Sequence, residues 1–117
     1  MLVIITPHFN KKKDRFMIVS FSVIPMGSST SVGDKIAEIL KIVDSSGLPY
    51  KINPMGTVVE GEWDDIMKLI KKCHKTTMKS GERTITTISI DDRKGKSRRI
   101  DEKVTSVERR IGRTLKK

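Results

Sequence analysis

The 117 residues contain no apolar stretch long enough to cross a membrane. The greasiest segment, Met1 to Pro7, holds four consecutive large aliphatics, where a spanning helix needs about twenty apolar residues. No basic residue precedes those aliphatics, which argues against a signal peptide and leads us to expect a cytoplasmic protein. Cysteine is nearly absent as well. Cys73 has no second cysteine to pair with, so no internal disulfide forms, in keeping with a reducing compartment. Aromatic residues make up 4% of the chain, and the stretch Thr57–Glu60 has none. The two histidines, His8 and His74, do not compose a three-ligand catalytic zinc site.

What the chain does have is charge, at 32%, beside an apolar fraction of 36%, enough for one core. The net charge of +10 is concentrated at the ends. From Arg93 to Lys117 there are 11 Lys/Arg against 3 Asp/Glu, and Met1 to Phe16 has 4 against 1, which leaves 9 against 10 between Met17 and Asp92. The inference from basicity to a polyanionic partner therefore applies to the ends. We divide the chain into an N-terminal extension (1–16), one domain (17–113) and a basic C-terminal tail (114–117). The two end segments are expected to be poorly ordered, since neither offers periodic apolar residues to dock.

Alternation over Ile18–Ile24 predicts a strand with Val19, Phe21 and Val23 on one side. Val32, Ile36, Ile39, Leu40 and Val43 recur at helical spacing after the hydroxyl cluster Ser28–Ser31, which supplies N-caps. Tyr50–Asn53 and Thr57–Glu60 flank the turn Pro54-Met55-Gly56. A second amphipathic helix carries Trp63, Ile66, Met67, Ile70, Cys73 and Thr77, with Lys68, Lys71, Lys72 and Lys75 toward water. Thr84–Ile90 is a fourth strand, and Ile100–Ile111 a short final helix. The order βαββαβ plus a C-terminal helix predicts an α+β, ferredoxin-like fold, an antiparallel sheet with two helices (near 31–46 and 62–79) on one face. Ile36, Leu40, Ile66 and Ile70 are expected among the most buried residues. Val19, Phe21, Val23, Tyr50, Ile52, Ile88 and Ile90 are expected under the helices. The other face, with Ser20, Ser22, Lys51, Asn53, Thr87 and Ser89, is left open. We place Glu60 there too, because an ionised carboxylate in the helix-packed core costs several kcal/mol.

Several motifs fail on inspection. Gly27 to Lys35 resembles a phosphate loop but has five residues between its glycines where four are needed, Asp34 before the lysine, and Ile36 in place of the magnesium-binding hydroxyl. Cys73 and His74 are adjacent on a helix and point about 100° apart, so they do not form a nucleophile and base pair. RNA-recognition modules share the βαββαβ order, yet Thr57–Glu60 offers no aromatic platform.

Ile24-Pro25-Met26-Gly27 with the Ser/Thr cluster after it, Asn53-Pro54-Met55-Gly56-Thr57-Val58-Val59-Glu60-Gly61, and Ile88-Ser89-Ile90-Asp91-Asp92-Arg93 resemble the thiamine-binding protein family over about Met17 to Ile111. The resemblance implies a ferredoxin-like, non-enzymatic binder of thiamine or its hydroxymethylpyrimidine moiety, a carrier or sensor with no cofactor of its own. It also implies assembly as a tetramer of paired dimers. Open sheet faces and edge strands independently favour self-association, which the resemblance makes a homodimer or homotetramer, since Ile18, Ile24 and Ile85 would otherwise meet water. An aminopyrimidine is flat and offers donors and acceptors, which suits small hydroxyl and amide groups with methionine sulfurs against the ring. We place the ligand site on the open face and adjoining loops at Ser22, Met26, Asn53, Met55, Thr57 and Glu60, the last as counter-charge to the thiazolium. The alternative function is a nucleic-acid or anionic-surface accessory protein acting through its basic tails.

Overall fold

A computed structural model describes residues 16–27, 32–79, 81–94 and 100–117. The extension up to residue 15, with His8, and the capping cluster Ser28–Ser31 lie outside the described residues. Along the chain run β1 (Met17–Met26), α1 (Val32–Ser45), β2 (Tyr50–Asn53), β3 (Gly56–Gly61), α2 (Trp63–Met78), β4 (Arg83–Asp91) and α3 (Ile100–Ile111). The strands form one antiparallel sheet in the order β2-β3-β1-β4, so the expected α+β, ferredoxin-like architecture is what the chain adopts.

β1 extends two residues past its expected end at Ile24, through Pro25 to Met26. Pro25 lies opposite Thr84 of β4, and β1 has no β3 partner there, so a missing backbone donor is tolerated. The core forms where α1 and α2 meet the central strands. Val19, Val59, Val43, Ile66 and Cys73 are fully enclosed, with Met17, Phe21, Ile39, Leu69 and Ile70 around them.

Two expectations about burial are corrected. Ile66 and Ile70 are buried, but Ile36 is 41% exposed and Leu40 is half-buried. α1 is rolled so that Lys35, Ile39 and Val43 point inward at i, i+4 and i+8. Tyr50, Ile52, Ile88 and Ile90 do share the helix-facing side of the sheet by register with Val59, Thr57, Phe21 and Val19. They belong to the outer strands, however, and two helices do not cover four strands. Ile52, Ile88 and Ile90 are accordingly exposed.

The opposite face is not wholly open. Lys51 of β2 binds Asp101 of α3 at 2.5 Å, and Asp91 of β4 accepts from Lys103 of α3 at 2.5 Å. Both sheet residues belong to that face, as the pairing of Lys51 with Val58 and of Asp91 with Ile18 requires. α3 therefore lies over the end of the face that carries Ile18 and Glu60, and each of these is 7% exposed. Ile18 drops out of the expected exposed patch, whereas Ile24 and Ile85 remain in it. The tail also differs from expectation. Leu115 N–H and Lys117 Nζ both donate to the Glu108 carboxylate, tying residues 114–117 back to α3.

Ile66→Ala should cost about 2–5 kcal/mol, the range for emptying an enclosed aliphatic site, and Ile36→Ala less than about 1 kcal/mol. Urea unfolding of the two variants checks the order, and equal losses would contradict the roll of α1.

Candidate functional site: a corner of the sheet

β3 is shorter than β1, and its start shapes the site. The β1–β3 ladder ends at Phe21 opposite Thr57, while β1 continues beside β4 alone to Met26. The β2–β3 turn closes against this point. A Cβ added to Gly56 would lie 2.8 Å from the Phe21 carbonyl oxygen, closer than a side chain tolerates, so glycine permits the turn to sit there. Asn53 fixes the turn from within, its Oδ1 accepting the Met55 N–H at 2.8 Å.

The notch so formed is a cavity of about 360 Å³. From the open face of the sheet it takes Ser22, Ile24 and Asn53; from the helix-facing side, Phe21, Val23, Ile52 and Thr57. Ile36, Ile39 and Leu40 of α1 form one wall, and Pro54, Met55 and Gly56 the rim. Ile36 and Leu40 thus border this cavity, which accounts for apolar residues that α1 does not bury. No charged residue lines it. An apolar cavity with a hydroxyl, a buried threonine and an amide is the usual make-up of a site for a small neutral ring.

Four of the six residues expected to bind ligand meet here: Ser22, Asn53, Met55 and Thr57. Their arrangement differs from a single open face, because Thr57 is opposite Phe21 on the helix side and is buried. Asn53 also has its oxygen committed to the turn, which leaves its Nδ2 group as the donor for a ligand. Met26 is exposed at the far end of β1, opposite Arg83, and is not part of the lining. Glu60 lies on the open face as expected, but opposite Ile18, four residues along β1 from Ser22. That is about 13 Å at strand rise. With α3 above it, Glu60 is not brought to the corner. The apolar wall was missed in the sequence, although the width of α1's apolar stripe, from Val32 through Val43, hinted at more than a core-facing seam.

Chemistry elsewhere is bland. His74 Nδ1 and Thr86 Oγ1 are 2.6 Å apart, joining α2 to β4. Cys73 is enclosed, and burial pushes its thiol up to about 11 against the opposing pull of Lys72, so it carries almost no thiolate at neutral pH. A second cavity of about 370 Å³ lies between the end of α1 and α2, bordered by Ser45, Ser46, Leu48, Lys68, Leu69 and Lys72. Among the described residues, no helix is long and apolar enough to cross a membrane.

None of the residues of α3 is fully buried, though Val104, Thr105 and Ser106 are half-buried, and two ion pairs tie it to the sheet. The bond from Lys51 holds the Asp101 carboxyl below the usual carboxylate range, and bonds from Lys117 and the Leu115 N–H do the same for Glu108. Carboxyls depressed in the folded state stabilise it above their ordinary pKa, and that contribution is lost as pH falls through the depressed values. Protonation of Asp101 weakens the tie of α3 to β2, and protonation of Glu108 the tie of the tail to α3, so α3 should loosen before the rest of the domain in acid. Hydrogen exchange, corrected for intrinsic rate, is expected to show α3 amides losing protection as pH falls below the ordinary carboxylate range of about 4 while α2 amides keep theirs. Simultaneous loss in both helices would contradict this.

A sequence model of the family described as "Thiamine-binding protein" matches residues 19–108. A UPF0045 protein of Synechocystis is 33% identical over 106 residues, covering 90% of this chain and 88% of its own. Among solved structures, a hypothetical protein of Methanocaldococcus jannaschii is 31% identical with a TM-score of 0.73, covering 80% of this chain and 96% of that one. A Thermotoga maritima protein, described as a candidate for thiamine biosynthesis or salvage, is 27% identical with a TM-score of 0.68, covering 79% and 98%.

Proposed function

The chain belongs to the thiamine-binding protein family, and from that premise we propose that it binds thiamine or its hydroxymethylpyrimidine moiety at the sheet corner, as a cytoplasmic carrier or sensor that performs no reaction on it. The observation that carries this reading is the cavity itself, which gathers Ser22, Asn53, Met55 and Thr57 beside an apolar wall. An aminopyrimidine ring is flat, with a polar edge and apolar faces. Hydroxyl and amide groups suit its edge, and Ile36, Leu40 and Ile52 suit its faces. The uncharged lining favours the pyrimidine half of thiamine and leaves the thiazolium cation toward water, with no part for Glu60. Calorimetry tests this. Asn53→Ala and Thr57→Val are each expected to weaken thiamine binding about tenfold, roughly 1.4 kcal/mol, while Glu60→Gln leaves affinity unchanged. Hydroxymethylpyrimidine alone should bind nearly as well as thiamine. Unchanged affinity in both corner variants with the fold intact would remove the site, and absence of binding by either compound would remove the function.

Self-association, as homodimer or homotetramer, is part of the same proposal. β4 is an outer strand of nine residues with Ile85, Ile88 and Ile90 exposed, and Ile24 lies opposite Ile85 on the face that α3 leaves uncovered. An unpaired strand edge flanked by aliphatics favours pairing with another chain. Sedimentation at micromolar concentration is expected to show a species heavier than the 13.2 kDa chain. A clean monomer would overturn this part.

A further inference from the structure

The near balance of charge between Met17 and Asp92 conceals a segregation that the fold creates. Of the 9 Lys/Arg in that span, Lys68, Lys71, Lys72, Lys75 and Lys79 all belong to α2 and its C-cap, and all are exposed. Lys68, Lys72, Lys75 and Lys79 follow at i, i+4, i+7 and i+11, one line down the outer side of the helix, with Lys71 beside it. The acids of α2, Asp64 and Asp65, are confined to its first turn. None of the five lysines is in an ion pair among the described residues. The neighbouring helix α1 leans the other way, with Asp34, Glu38 and Asp44 exposed against one exposed lysine, Lys41, while Lys35 is buried.

Two of the lysines have an ordinary explanation. Lys75 and Lys79 complement the negative C-terminal end of the helix dipole. Lys68, Lys71 and Lys72 lie too far from that end to do so, and like charges at i, i+4 destabilise a helix. We propose that the outer face of α2 is a binding surface for duplex nucleic acid, engaging its phosphate backbone without reading sequence. The line from Lys68 to Lys79 spans about 16 Å at helical rise, long enough to follow several phosphates, which recur every 3.4 Å or so of axis along a strand. A membrane surface fits less well, because Ile66, Leu69, Ile70, Cys73 and Thr77 are buried in the core and the exposed apolar residues of α2, Trp63 and Met78, sit at its opposite ends rather than forming a continuous stripe to insert. From Ile66 to Lys79 the helix contains no Arg, Asn or Gln, whose planar groups pair bidentately with base edges, and its lysines are mobile point charges without that fork. The face therefore neutralises phosphate and does nothing more specific.

The test uses the full chain and a fluorescently labelled mixed-sequence DNA duplex of about 20 base pairs, with anisotropy followed between about 50 and 200 mM salt. The log of affinity should fall against log salt with a slope of about −4. Lys71→Gln, Lys72→Gln, Lys75→Gln and Lys79→Gln combined should flatten that slope by about 3 and weaken binding more than about tenfold at 100 mM salt, with an unchanged circular dichroism spectrum. A chain with Arg109, Arg110, Arg113, Lys116 and Lys117 changed to glutamine should keep most of the slope. The proposal is overturned by an α2 variant that binds as the unaltered chain does, or by binding that vanishes with the C-terminal changes alone. It is equally overturned if phosphatidylserine vesicles are bound and the duplex is not.

Discussion

The close approach of Gly56 to the Phe21 carbonyl determines where β3 begins beside β1, and the corner of the sheet follows from it. With a side chain at that position the β2–β3 turn would have to retreat from β1. The notch bordered by Ser22, Ile24 and Thr57 would then change shape. Asn53 supports the same arrangement from inside the turn through its bond to the Met55 N–H. α1 completes it, because the roll that buries Ile39 and Val43 leaves Ile36 and Leu40 to form a wall. One backbone contact, one side-chain bond and one helix rotation thus place polar and apolar groups around a single cavity.

Much of this was legible in the residues. Alternation gave β1, and helical spacing gave α1 and α2 to within one or two residues, because those elements bury one side and leave the other in water. Ser22, Asn53, Met55 and Thr57 were legible as a group because they border a glycine-containing turn and the strand end beside it. Glu60 was placed on the correct face but assigned the wrong surroundings. Strand alternation tells which side a residue faces, yet nothing local announces that α3 will cross that side and cover it. Ile36 failed for a related reason. A stripe five positions wide does not say which of its members point at the core, and that is decided by what α1 packs against.

Charge shows the same limit from another direction. A count over residues 17–92 is close to zero, whereas the fold sets basic α2 beside acidic α1 on one layer of the molecule. Patterning of this kind is a property of helix faces in space, and composition averages it away. The two helices also serve different parts of the molecule. α1 contributes a wall to the corner, while α2 contributes Ile66, Leu69 and Ile70 to the core and its lysines to the outside.

The central claim is that a pyrimidine-bearing ligand is held at the sheet corner. The most direct measurement is the backbone amide spectrum of the isotopically labelled chain, recorded as hydroxymethylpyrimidine is added. The account expects shifts concentrated at 21–24, 36–40 and 52–57, with amides of α3 and of the outer side of α2 unmoved. Shifts centred on the second cavity, at 45–48 and 68–72, or beneath α3 around Glu60, would contradict it.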